Sequence, residues 1–106
     1  MAIRLKPENA VAYLNRANAY ERKSETARAL ADYKKAIELN PQSTIAYNRL
    51  GQLHTRMGNF DRAIANFNQA IKIDPAFTIA YKNRDRAIRL KNNKDDRLTK
   101  RISSGQ

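Results

Sequence analysis

Ala36-Ile37-Glu38-Leu39-Asn40-Pro41 returns 34 residues later as Ala70-Ile71-Lys72-Ile73-Asp74-Pro75, and stands one period earlier as Ala2-Ile3-Arg4-Leu5-Lys6-Pro7. The phrase that follows repeats as well. Thr44-Ile45-Ala46-Tyr47 comes back as Thr78-Ile79-Ala80-Tyr81, and Ala12-Tyr13 holds the same register one period before. Self-similarity at a fixed spacing of this size marks a chain built from stacked supersecondary units, each packing on its neighbours, with no single global core.

Within each period the residues divide into two helical stretches. In the first, Ala17 and Gly51 are small where a second helix must come close, and Tyr13, Tyr47 and Tyr81 supply bulk between neighbours. In the second, Ala29, Tyr33 and Ala36 are matched by Ala63, Phe67 and Ala70. Leu30, Ile37, Leu39, Ile64, Ile71 and Ile73 complete an apolar face at helical spacing. Gly58 stands where the first helix must stop, because glycine enters the left-handed region without a steric penalty. Asn59 and Asp61 then open the next helix. Ser24 replaces the glycine in the first period, so a looser turn is expected there, with the serine capping the following helix.

A 34-residue period with alanine, aromatic and proline at these offsets resembles the tetratricopeptide-repeat (TPR) family, and the resemblance runs from residue 2 to about residue 91. It implies an all-α fold, a TPR-type superhelix or solenoid of two helical hairpins and a C-terminal capping helix. Helices are expected from about Ala10 to Lys23, Glu25 to Leu39, Thr44 to Met57, Phe60 to Ile73 and Thr78 to Lys91 or somewhat beyond. Residues 1–9 read as a lead-in or the remnant of a preceding repeat, 10–43 as the first repeat, 44–77 as the second, 78–91 as the cap. Residues 92–106 read as a basic tail, either helix extension or disordered. The third unit carries Asp85 where the first two have Ala17 and Gly51. Arg97 and Arg101 stand where a further helix would need alanine and an aromatic, so no helix is expected to pack beyond the cap.

Composition narrows the chemistry. The 106 residues contain no cysteine, no tryptophan and one histidine, His54, which leaves thiol catalysis and thiolate metal sites without ligands. His54 occupies the register of Tyr20 and is expected to pack inside its hairpin. No phosphate-gripping glycine loop or serine nucleophile motif occurs, so no enzyme, cofactor or metal is expected. No stretch approaches the roughly 20 apolar residues of a membrane span, and an intracellular, cytoplasmic location is expected. The formal net charge is +11, with nine bases against three acids between Ala76 and Gln106.

Stacked TPR hairpins place their first helices on a concave face, so the resemblance implies a groove. Projected onto it are Asn15, Asn18 and Arg22; Asn48, Arg49, Gln52 and Arg56; and Lys82, Asn83, Arg86 and Arg89, with Glu21 and several aliphatic residues among them. Arginine forks take carboxylates through paired hydrogen bonds, and amide side chains donate to and accept from a peptide backbone. The expected partner is therefore another protein, offering an extended and acidic peptide. The lysine, asparagine and arginine clamp of TPR adaptors for chaperone tails would fall on Leu14, Asn18, Arg49, Ile79 and Asn83. Only Asn18 matches, so that clamp is not expected. Long TPR superhelices that capture peptide backbone with asparagine ladders use a position held here by Asn15, Arg49 and Asn83.

Two other readings remain open at this level. Nucleic acid would be drawn to the net +11, although the projected groove shows no aromatic platform for stacking bases. Self-association into a homodimer would cover Ala2, Ile3 and Leu5, which the missing preceding helix leaves unpacked.

Overall fold

The computed structural model describes residues 7–104, and among them it contains five α-helices and no strand. These are α1 (Pro7–Arg22), α2 (Thr26–Leu39), α3 (Thr44–Met57), α4 (Phe60–Ile73) and α5 (Thr78–Ser104). The residue 2–5 surface invoked for self-association, the residue 1–6 lead-in and the side chains of Arg97 and Arg101 lie outside what is described. Helix α1 begins at Pro7, ahead of the expected Ala10, because proline suits a first helical position, where its missing N–H is not needed. Helix α5 continues far past Lys91 and takes up most of the expected tail.

The proline phrases at Pro41 and Pro75 turn the chain with the same set of hydrogen bonds at Asn40 and Asp74. Asn40 donates its N–H to the Ala36 carbonyl at 2.9 Å, and Asp74 does the same to Ala70 at 2.9 Å. The side chains of Asn40 and Asp74 then accept from the N–H groups of Gln42 and Ala76, folding the chain back into the next helix. Ser43 caps α3 by accepting from the Ala46 N–H at 3.1 Å.

The hairpin turns are also identical, which corrects the looser turn expected at Ser24. Asn59 N–H reaches the His54 carbonyl at 2.8 Å and Gly58 N–H the Thr55 carbonyl at 3.1 Å. One repeat earlier, Glu25 N–H reaches Tyr20 and Ser24 N–H reaches Glu21, each at 2.9 Å. Gly58 has φ 82° and Ser24 φ 61°, so the serine itself adopts the left-handed stop. Ser24 is not the cap of α2 either. Glu25 holds that position, and no side chain supplies a capping hydrogen bond there. Asn59 likewise precedes α4 without a side-chain cap.

Each helix packs on the next in sequence, and α3 also meets α5. Leu14, Ala17, Ala29, Tyr33, Ala36, Ala46, Leu50 and Leu53 form one apolar cluster through α1, α2 and α3. Ala63, Phe67 and Ala87 form a second, joining α4 to α5. The pairing of small with large residues is literal at Gly51, where an added Cβ would come within 2.5 Å of the Phe67 ring. His54 is buried as expected, and its Nδ1 lies 3.5 Å from the Asn59 side-chain nitrogen. Asp85 is exposed on α5. The radius of gyration is 16.3 Å, against about 13 Å for a compact domain of this length, as a solenoid with a projecting last helix requires.

Candidate peptide-binding groove

The 3.6-residue period puts Asn18 and Glu21 of α1, and Ile45, Asn48, Arg49, Gln52 and Arg56 of α3, on faces turned to one side of the stack. With Tyr33, Phe77 and Ile79 they line a cavity of about 440 Å³. A second cavity of about 350 Å³ lies between α3 and α5, lined by Gln52, Thr55, Arg56, Phe67, Asn83, Arg86 and Leu90. Gln52 and Arg56 belong to both and form the partition between them. Asn18, Gln52 and Arg86 hold one register in three successive units, so the repeat itself carries the groove across the molecule.

Seven of the expected site residues are brought together in this way: Asn18, Asn48, Arg49, Gln52, Arg56, Asn83 and Arg86. The other four are not. Asn15, Arg22, Lys82 and Arg89 are exposed and line neither cavity. Two further expectations change on the inside of the groove. Asn48 is buried and accepts a hydrogen bond from the Asn83 Nδ2 at 2.9 Å, so these amides tie α3 to α5 and are partly spent. Arg56 forms an ion pair with Glu21, whose side chain is only 6% exposed, so that guanidinium already has a carboxylate.

Glu21 accepts a second hydrogen bond from the Tyr33 hydroxyl. Burial pushes the Tyr33 phenol above its ordinary pKa, while the charge and hydrogen bonding of Arg49 act in the opposite direction. Arg49, Arg56, Tyr33 and Glu21 thus form one polar cluster on the wall of the larger cavity. Tyr33, Phe67 and Phe77 were absent from the groove projected from the first helices. Tyr33 and Phe67 come from the second helix of each repeat and form its floor, and Phe77 comes from the proline connector. The first two are fully buried and offer no ring face for stacking a base, while Phe77 is half-buried. Among the described residues no group of three or more histidine, cysteine, aspartate or glutamate side chains gathers to hold a metal. No described helix is long and apolar enough to cross a membrane.

Two overlapping stretches, residues 2–44 and 14–76, match the family model described as Tetratricopeptide repeat. The chain belongs to the tetratricopeptide-repeat family. No curated protein sequence matches it. Among solved structures, this TPR chain is similar to the first TPR of Spaghetti (RPAP3) bound to the HSP90 peptide SRMEEVD, with TM-score 0.76 and 21% identity over 81% of this chain and 68% of that one. It is similar to the Arabidopsis OM64 TPR domain, with TM-score 0.77 and 22% identity over 82% of this chain and 72% of that one. It is also similar to MamA, with TM-score 0.76 and 30% identity over 89% of this chain and about half, 51%, of that one.

Proposed function

We propose that this protein-interaction scaffold holds an extended, acidic segment of a partner protein in the groove formed by α1, α3 and α5. The observation that carries the reading is the placement of Asn18, Gln52 and Arg86 in one register along two adjoining cavities, with Arg49 beside them. The groove joins amides, which suit a peptide backbone, to arginine forks and to exposed Ile45 and Ile79, which suit side chains. The domains of Spaghetti are TPR folds seen with a peptide that contains adjacent glutamates, SRMEEVD, and this supports the same use of the fold here. The chaperone-tail clamp is not expected to transfer, because Leu14, Arg49, Ile79 and Asn83 occupy four of its five positions.

The test is selection from a displayed library of random peptides, comparing the wild type with a protein carrying both Arg49→Glu and Arg86→Glu. Wild type is expected to enrich peptides containing aspartate or glutamate, and the variant to lose that preference while keeping its helical circular dichroism. Enrichment of no peptide, or of the same peptides by both proteins, would remove the reading. The net charge of +11 favours one competitor, phosphate-driven binding of nucleic acid. In that case the logarithm of the affinity for RNA or DNA should fall linearly and steeply with the logarithm of salt, whereas peptide affinity should fall less.

A further inference from the structure

Glu21 is the one acidic residue lining the two cavities, and the TPR scaffold gives no reason for it. Its register is held by Thr55 in the second unit and Arg89 in the third. Thr55 bonds back to the Gly51 carbonyl at 2.9 Å, and Arg89 is exposed. The second hairpin thus closes without a carboxylate at this place. In the first, the Glu21 side chain is buried, accepts the Tyr33 hydroxyl and pairs with Arg56, and Arg49 bears on the same hydroxyl.

A buried carboxylate stripped of its cation is strongly unfavourable, so Arg56 is not released to a ligand at little cost. An acidic side chain entering the larger cavity would also meet Glu21 as a like charge. What that cavity offers instead is apolar surface. Ile45 and Ile79 stand in the same register of successive units, 49% and 47% exposed, with Phe77 beside them. In the smaller cavity no acidic residue faces Arg86.

We propose that Glu21 determines the specificity of the groove by occupying, within the chain, the place a partner's carboxylate would take beside Arg56 and Arg49. The larger cavity then takes an aliphatic side chain against Ile45, Phe77 and Ile79, and the acidic side chain of the same peptide is read by Arg86 in the smaller one. This rests on the groove reading above, and it narrows the partner to an extended segment with an aliphatic and an acidic residue at fixed separation.

Peptide-display selection on wild type, Glu21→Gln, Arg56→Gln and the double variant tests it. Glutamine keeps an oxygen for the Tyr33 hydroxyl, and circular dichroism melts verify the fold of each. Wild type should enrich one aliphatic and one acidic position. Glu21→Gln should enrich a second acidic position, and a synthetic peptide carrying that extra acid should bind this variant about tenfold more tightly than it binds wild type. Adding Arg56→Gln should abolish the gain, whereas Arg56→Gln alone should leave the wild-type acidic position in place. If Glu21→Gln selects the same peptides as wild type while Arg86→Glu removes their acidic preference, the role of Glu21 is refuted and the groove stands. Loss of the acidic position in Arg56→Gln alone would refute it too. If none of the proteins enriches a peptide, the groove reading falls and this inference with it.

Discussion

The two hairpins share a backbone and differ in what closes them. In the first, α1 and α2 are joined by polar groups at their margins: Arg16 grips the Asp32 carboxylate with two hydrogen bonds of 2.7 and 2.8 Å, and Glu21 receives the Tyr33 hydroxyl. In the second, Gly51 lets the Phe67 ring lie against the α3 backbone, and His54 fills the place of Tyr20. One fold is thus reached by a directional closure and by an apolar one. The register specifies size and position, and leaves the chemistry of contact free to vary.

The largest effect should come from exchanging the small residues. A methyl at Gly51 would overlap the Phe67 ring, which is 0% exposed and can yield only toward the cavity it lines between α3 and α5. Overpacking costs about 1–3 kcal/mol, and the better helix propensity of alanine returns about 1 kcal/mol. Gly51→Ala should therefore destabilise by about 1 kcal/mol and lower the Tm by about 4–8 °C. The opposite exchange, Ala17→Gly, should lose stability through helix propensity and lost packing. If Gly51→Ala left the Tm unchanged, the second hairpin would be shown to accept the closure of the first.

The turns should respond next, and with opposite signs. Ser24→Gly relieves a left-handed serine and should stabilise by a few tenths to about 1 kcal/mol, whereas Gly58→Ala imposes the same strain and should cost about 1 kcal/mol. Denaturant midpoints of the two variants would show whether equal hydrogen bonds mean equal turns.

The smallest effect distinguishes His54 from Tyr20. Burial, then the positive charges of Arg62 and Lys34, hold the His54 pKa below its ordinary value. The unfolded chain then binds a proton before the folded one does, so stability is full above an unfolded pKa of about 6.5 and declines as pH falls below it toward the folded value. His54→Tyr should flatten that part of the stability profile measured by urea unfolding, and an unchanged profile would exonerate the histidine.

The fold was legible because its signals are local: a 34-residue period, proline phrases that close their own hydrogen bonds, and small residues facing large ones. Ser24 misled because a serine's preference for capping says less than the backbone bonds that force its φ positive. The groove was legible only as far as register reaches. Asn18, Gln52 and Arg86 follow from the period, whereas the bonds from Glu21 to Arg56 and from Asn83 to Asn48 join residues about one period apart. Such contacts depend on how far one hairpin rotates against the next, which no single repeat encodes. Lys82 shows the same limit: it shares the register of buried Asn48 and yet lies exposed.

The matching hydrogen bonds of Asn40 and Asp74 at the two proline connectors carry an evolutionary corollary. A tandem duplication of residues 44–77 would insert a unit whose entrance and exit already match its neighbours, so an array of this kind lengthens by copying and needs no newly invented junction. Divergence can then proceed at one copy while the others keep the architecture, as the departure of Glu21 from Thr55 and Arg89 illustrates.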